Sequence, residues 1–411
     1  MPEFLELKTI QEALKLFFDH LPEAATQTEE VRLAAALGRV LAEDIVSREP
    51  LPGFTRSTVD GFAVRSRDTH GASETLPMYL PLAGEVPMGK APGFALQAHQ
   101  AARIHTGGML PEGADAVVML EMCQEVRAGE IEVYRAVAAG ENILARGEDI
   151  EAGETVLPAG KSIRPVEIAG LAALGYERVR VFAAPALGIL SSGDEVIPIE
   201  QTPGIGQVRD VNSHALAALV SASGGIPVLY GIIPDRQETL EERLAQALDE
   251  CQGVIITAGS SASTRDLTAD AIRRMGEPGV LVHGVNVKPG KPTILGVCRG
   301  KPVVGLPGNP VSALVIAGLF IQPLVRRLAG ETNKKPQAVI QARISSNVPS
   351  QAGREDFFPV ILKKDGLCLL AEPIFYKSNL IFNLARADGL AHIPADATGL
   401  AAGEDVEVIP L

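Results

Sequence analysis

From Ala186 onward the chain alternates short apolar runs with amphipathic stretches, and this alternation limits its folds more than any other feature. Strand candidates fall at 186–190, 227–232, 253–257 and 302–306, interleaved with helix candidates over 213–222, 237–250, 267–275 and 311–329. Apolar runs this short, bounded by turn residues, fit buried strands, and the helices between them supply the crossovers that parallel strands require. The pattern predicts a parallel α/β layer, whose ligands bind beyond the carboxyl ends of its strands.

The rest of the chain has a different texture. Residues 8–21 place Ile10, Ala13, Leu14, Phe17 and Leu21 on one helical face, with Thr9 as the cap. From Ser47 to Ala139, strand-like runs at 78–80, 116–119 and 131–134 are broken repeatedly by glycine, which predicts a small all-β unit. A short amphipathic helix is expected from Arg164 to Gly175, and β texture returns after Asn333 at 338–344, 357–362 and 367–370. A chain of 411 residues accommodates two to four domains, at about 100 to 200 residues each.

Composition narrows the function. Hydrophobic residues at 46% and charged residues at 21% indicate globular domains rather than disorder. With 4% aromatics, no Trp and a net charge of −13, affinity for nucleic acid or for an anionic membrane is not expected. The four cysteines (Cys123, Cys251, Cys298, Cys368) are widely spaced, which disfavours a disulfide framework or a zinc site. The N-terminus lacks the basic and apolar segments of a secretory signal. The apolar stretch from Val311 to Leu324 is read as interrupted at Gln322-Pro323 and too short to cross a bilayer. The expected location is the cytoplasm.

Several segments carry chemistry. Val303 to Ser312 reads VVGLPGNPVS, a buried strand turning into an apolar helix, with Asn309 placed as N-cap and Pro310 as first helical residue. Free N–H groups and the positive dipole end then face the turn, as an anion site requires; an ordinary capped helix gives the same pattern. Upstream, Lys288 and Lys291 bracket a Pro-Gly turn and can present two ammonium groups to one oxyanion. The loop from Ala258 to Asp266 (AGSSASTRD) offers small residues and hydroxyls, with Asp266 suited to cap a helix from 267 or to reach a cation. Ser192-Gly193-Asp194-Glu195 is a glycine turn with paired carboxylates, able to hold Mg2+ beside phosphates or to sit solvated. Asp60-Gly61 in the β unit is by default a hairpin turn.

Taken together, these segments resemble the MoeA family, the molybdopterin molybdenumtransferases that include the E domain of gephyrin. The matching stretches are STVDGFA at Ser57, TGG at Thr106, PEGADAVV at Pro111, RGED at Arg146, SGDE at Ser192, DVN at Asp210, KPGKP at Lys288 and LPGNPVS at Leu306. They occur in the family's order over nearly the whole chain.

The resemblance implies a multidomain α/β plus β architecture: a connecting domain (1–48 and 141–183, its helix at 8–21 free to pack elsewhere), a β-rich domain (49–140), a central α/β molybdopterin-binding domain like those of MogA and MoaB (184–330), and a C-terminal β-barrel (331–411). It implies an Mg2+-dependent reaction in which adenylylated molybdopterin and molybdate are substrates, AMP leaves, and molybdenum cofactor forms. By motif, Asp60, Thr106, Asp149, Glu195, Asp235 and Asp266 match active-site positions. Ser192, Gly193, Asp194, Gly259, Ser260, Ser261, Lys288, Lys291, Pro307, Gly308, Asn309, Pro310, Ser312, Arg354 and Ser378 match or fit the nucleotide, pterin and oxyanion pocket. Asp194, Glu195 and Asp266 are the Mg2+ candidates.

The implied partners are a second copy completing a shared site, an upstream adenylyltransferase and downstream molybdoenzyme apoproteins. The family's Gly-Gly-Val-Ser-x-Gly loop departs here to AGSSASTRD, one residue shorter and richer in serine. A tungstate-preferring homologue, a molybdopterin adenylyltransferase and a pterin-binding scaffold without turnover are the alternatives.

Overall fold

The computed structural model describes residues 7–22, 27–258, 262–332, 338–375, 377 and 379–411, with the backbone alone for 262–266. The chain divides into two compact units, one of residues 1–42, 160–165 and 178–411, the other of residues 43–159 and 166–177.

In the second unit a six-stranded sheet runs in the order Ala116–Met119, Gly61–Val64, Ala101–Ile104, Met78–Glu85, Glu130–Val133 and Cys123–Arg127. Side chains alternate across a strand, so consecutive apolar residues feed two cores. Phe62, Val64, Val118 and Ile131 pack on one face, and Ala63, Ala102, Ile104 and Val117 on the other. Gly61 is required by close approach: a Cβ there would lie 2.0 Å from the Val118 carbonyl oxygen.

The first unit holds the α/β layer. Its six-stranded sheet has the order Ile226–Ile233, Ala186–Ser192, Gly253–Ala258, Lys301–Pro307, Ile294–Cys298 and Pro278–His283. The first four strands are parallel, as the alternation predicts, but Ile294–Cys298 runs antiparallel to both of its neighbours, Lys301–Pro307 and Pro278–His283. The expected parallel layer is therefore a mixed sheet. Its extra hairpin turns at Arg299-Gly300, where both residues have positive φ, 53° and 74°, the geometry of a two-residue hairpin turn. Arg at the first turn position hides that turn from a composition-based reading.

Helices Gln237–Glu250 and Ala262–Arg274 belong to one core, with Leu240, Leu244, Leu248 and Ile272 packed on Leu190 and Ile256. On the opposite face, Leu216, Val220, Phe320 and Leu324 pack with Leu187, Ile189, Ile255 and Val304. The N-terminal helix Ile10–Asp19, closed by a capping box between Thr9 and Glu12, buries Ile10, Ala13 and Phe17 in this same core.

The segment Pro310–Leu328 corrects the expectation for the apolar stretch. Gln322-Pro323 does not interrupt it: an α-helix Pro310–Ile316 passes through a π-helical turn Ala317–Ile321 into Gln322–Leu328, with Pro at the first positions of that last segment. At 19 residues and mean hydropathy 1.5 it is long and apolar enough to cross a membrane by length and composition. Its apolar side chains Val311, Val315, Ile316, Phe320, Ile321 and Leu324 are instead consumed by the α/β core.

The C-terminal region is a closed barrel. Strand Glu355–Asp365 pairs with Cys368–Pro373 and Gly389–Ile393, Gly389–Ile393 with Asp405–Pro410, and Ile340–Ile344 with both Asp405–Pro410 and Cys368–Pro373. Ile344, Phe358, Val360, Ile393 and Val408 fill it. The start of Glu355–Asp365 carries one further strand, Val287–Lys288, from the preceding domain.

Candidate functional site

In the α/β layer, the loops after Ala186–Ser192, Ile226–Ile233, Gly253–Ala258 and Lys301–Pro307 leave one edge of four neighbouring parallel strands. Register brings their ends level: Ser192 lies opposite Ile233, and Ala258 opposite Pro307. The carboxylates expected there come together. Ser192 Oγ donates to Asp235 Oδ1 at 2.5 Å, and the Asp235 N–H donates to Asp194 Oδ1 at 3.3 Å. Glu195 folds back so that its carboxylate lies over Gly193, 2.9 Å from where a Cβ on that residue would be. Asp194 and Glu195 are exposed, and Ser192 is buried.

On the adjacent strand end, Pro307 leads through Gly308 to Asn309, which has the extended backbone of an N-cap before Pro310. Asn309 makes no side-chain capping bond, so the cap rests on backbone geometry and on Pro310. Asn212, from the DVN segment, fixes this turn by donating its amide to the Gly308 carbonyl at 2.9 Å. Its own Oδ1 is buried without a partner. Asp210 of the same segment is buried and accepts from the Ser213 N–H at 3.1 Å and from the Ser213 hydroxyl. Ser312 is buried one turn into the helix.

Gly259, Ser260, Ser261 and Ser378 lie outside the described residues, as does the side chain of Asp266. The backbone at Asp266 does correct one expectation. The helix begins at Ala262, not 267, so residue 266 is inside the helix and not at its cap.

Lys288 and Arg354 meet at a carboxylate that sequence reasoning missed. Arg354 grips Asp356 with two bonds, Nε to Oδ1 at 2.7 Å and Nη2 to Oδ2 at 3.1 Å, while Lys288 Nζ stands 3.7 Å from Asp356 Oδ2. Both cations belong to the same compact unit. Lys291 is exposed, and the turn between the lysines packs on the helix after the Pro307 turn through Gly290, whose added Cβ would lie 2.2 Å from Ile316 Cγ1.

The second unit holds the other group. Asp60 Oδ1 accepts from the Thr106 N–H at 2.8 Å and its hydroxyl at 3.2 Å, with His105 Nδ1 3.6 Å away. The Thr106 N–H, first of all, holds the Asp60 carboxyl below its usual range. These contacts converge on Oδ1. His105, unremarked in the sequence, also faces Glu85 Oε1 at 3.3 Å. Asp149 is exposed on a neighbouring segment: Thr58 donates to the Asn142 carbonyl, Ile143–Leu144 pairs with Arg56–Ser57, and the Asp149 N–H donates to Leu51.

No set of three or more His, Cys, Asp or Glu side chains suited to a metal occurs among the described residues. The Asp194–Asp235 edge still fits Mg2+, which is commonly held by one or two carboxylates plus substrate phosphates and water rather than by a protein cage.

A chain that contains an α/β layer with a carboxylate-lined strand edge, a β-rich unit and a closed barrel is a multidomain protein of the α/β class. Sequence-family comparison makes this specific: "MoeA N-terminal region (domain I and II)" matches residues 8–175, "Probable molybdopterin binding domain" 188–327 and "MoeA C-terminal region (domain IV)" 341–411. The chain belongs to the MoeA family. It is 32% identical over 415 residues to a molybdopterin molybdenumtransferase of Nostoc sp., covering 99% of this chain and 95% of that one. The molybdopterin molybdenumtransferase of Haemophilus influenzae is 30% identical over 404 residues, 98% of each chain. Among solved structures, a molybdopterin biosynthesis moeA protein from Pyrococcus horikoshii OT3 superposes with TM-score 0.85 at 34% identity, covering 99% of this chain and 100% of that one.

Proposed function

We propose that this protein is a molybdopterin molybdenumtransferase, a transferase of molybdenum cofactor biosynthesis that takes adenylylated molybdopterin and molybdate to molybdenum cofactor and AMP. Full-length relatives bearing that enzyme name support the reaction class. The observation that carries the chemistry is the shared strand edge. There the Asp194, Glu195 and Asp235 carboxylates stand on strand ends level with the Pro307–Pro310 turn.

The N-terminal N–H groups of the helix from Pro310 would face a phosphoanhydride, and Lys288, Lys291 and Arg354 would add positive charge for its oxygens. Asp194 and Glu195, with Asp266 as the third candidate, would hold Mg2+ on the phosphate side. When bound, the ion would offset charge developing on the phosphoryl oxygens. Asp60, held at Oδ1 by Thr106 and contributed by a second copy of the chain, would present its carboxylate as an acceptor that orients the attacking oxygen of water or molybdate. With the phosphoanhydride aligned in this way no nucleophilic side chain is needed.

The four-domain plan (1–48 with 141–183, 49–140, 184–330, 331–411), a homodimer that completes the site, cytoplasmic location, and exchange with an upstream adenylyltransferase and with apo-molybdoenzymes belong to the same proposal. The test supplies adenylylated molybdopterin, Mg2+ and either molybdate or tungstate, and measures AMP and metal-loaded cofactor. AMP release with molybdate is the expected result. No AMP from folded protein removes the reaction, and faster turnover with tungstate changes the metal.

A further inference from the structure

Asp356 is the residue that Lys288 and Arg354 have in common. It is 5% exposed, and a buried carboxylate needs compensation. The bidentate Arg354 contact already supplies one full charge. Lys288 is a second cation on the same carboxylate, and at 3.7 Å its ammonium keeps its hydrogen-bond donors unspent on Asp356, with the side chain 57% exposed. Two cations on one anion leave this cluster one positive charge in excess, and Arg354 directs a further N–H, on Nη1, to Gln351 Oε1 at 3.5 Å, so the unspent donors are those of Lys288 and the rest of the guanidinium.

The backbone fixes the arrangement. Lys288 is the ladder partner of Asp356, Glu355 N–H donates to Asn286 O at 3.1 Å, and the Asn286 amide donates to the Gly353 carbonyl.

We propose that Asp356 is a positioning residue: it holds Lys288, from the α/β side, and Arg354, from the barrel, at a set spacing so that their remaining donors meet one tetrahedral oxyanion. Identifying that oxyanion as molybdate or as the substrate's pyrophosphate group rests on the function proposed above; the positioning itself does not. Asp356 touches no substrate.

Charge and geometry make opposite predictions for Asp356→Asn. The substitution removes a negative charge, so net potential alone predicts tighter anion binding. Loss of the anchor lets both long side chains sample other rotamers and predicts weaker binding. Equilibrium dialysis of the full chain against molybdate, and separately against pyrophosphate, reads this directly. The expected result is about tenfold weaker binding, with KM in the AMP assay raised to match and kcat little changed. A loss confined to molybdate assigns the cradle to the metal oxyanion; a loss confined to pyrophosphate assigns it to the phosphoanhydride.

Equal or tighter binding of both anions overturns the proposal. If wild type binds oxyanion but releases no AMP, and Asp356→Asn weakens binding, the reaction fails and the positioning role stands. Should Asp356→Asn not fold, Asp356→Glu keeps the charge and moves it by one methylene. Weaker oxyanion binding at an unchanged melting temperature then supports the role, and unchanged affinity ends it.

Discussion

Asp60 illustrates how a turn residue gains partners far away in the chain. Its sequence neighbour Gly61 is a packing glycine, pressed on the Val118 carbonyl, while the carboxylate itself is aimed by the N–H and hydroxyl of Thr106, far away in sequence. Asp60→Asn should cut AMP release by about 100-fold or more while leaving the melting temperature near wild type; turnover at the wild-type rate would take Asp60 out of the site. The depressed pKa fixes the sign of the pH effect. A carboxyl whose native pKa lies below its unfolded value contributes stability above that value, and loses it only as pH falls through the native pKa. Asp60 therefore stays ionised below its ordinary value of about 3.9, so an acid limb in the AMP assay between pH 5 and 6 should belong to another group. Gly290→Ala makes a different demand. With φ at +110° and Ile316 in the way, it should cost about 2 kcal/mol and weaken oxyanion binding together with stability, measurable by thermal melts and dialysis. Motif reading singles out Asp60, Lys288 and Arg354; it gives no role to Asp356 or His105, and it quotes Asn212 only as the end of the DVN stretch. Asn212 and His105 have partners distant in sequence, and Asp356, although two residues from Arg354, meets its second cation, Lys288, only through the fold; local spacing carries no record of those long-range pairs.

Among elements, the most legible were those with an uninterrupted period. Helix Gln237–Glu250 has the bounds expected from its apolar spacing, and all four parallel strands lie where the apolar runs fall. The errors have physical causes. Sequence rules mark Pro323 as a break, yet a proline in the first turn of a helical segment lacks only an N–H that the π-helical turn before it does not use in the ordinary way. Apolar spacing starts the helix at 267, five residues after its actual start at Ala262, because Ser and Thr are ordinary cap and loop residues. The continuous helix is the seam between the strand edge and the core. Phe320 is fully buried there, so Phe320→Ala should destabilise by about 3 to 5 kcal/mol in denaturant titration; a loss under 1 kcal/mol would mean that the core closes over the gap.

At the scale of the whole molecule, composition excluded functions without naming one, and the order of motifs supplied the family. The chain's net charge of −13 coexists with a local surplus of positive charge at Lys288 and Arg354, because a pocket's potential depends on nearby groups rather than on the total. Two compact units with separate cores predict that calorimetry of the full chain will not fit a single two-state transition; equal calorimetric and van't Hoff enthalpies would contradict this. Strand Glu355–Asp365 is both a wall of the barrel and the strand on which Val287–Lys288 lies. An oxyanion seated at Lys288 and Arg354 is consequently linked to the opening equilibrium of the barrel. At a ligand concentration of 100 times Kd that linkage is worth about 2.7 kcal/mol, and amide protons of the barrel strands that exchange only by full opening should slow by about 100-fold. The terminal barrel would then serve as a reporter, keeping a record of site occupancy in its hydrogen-exchange rates.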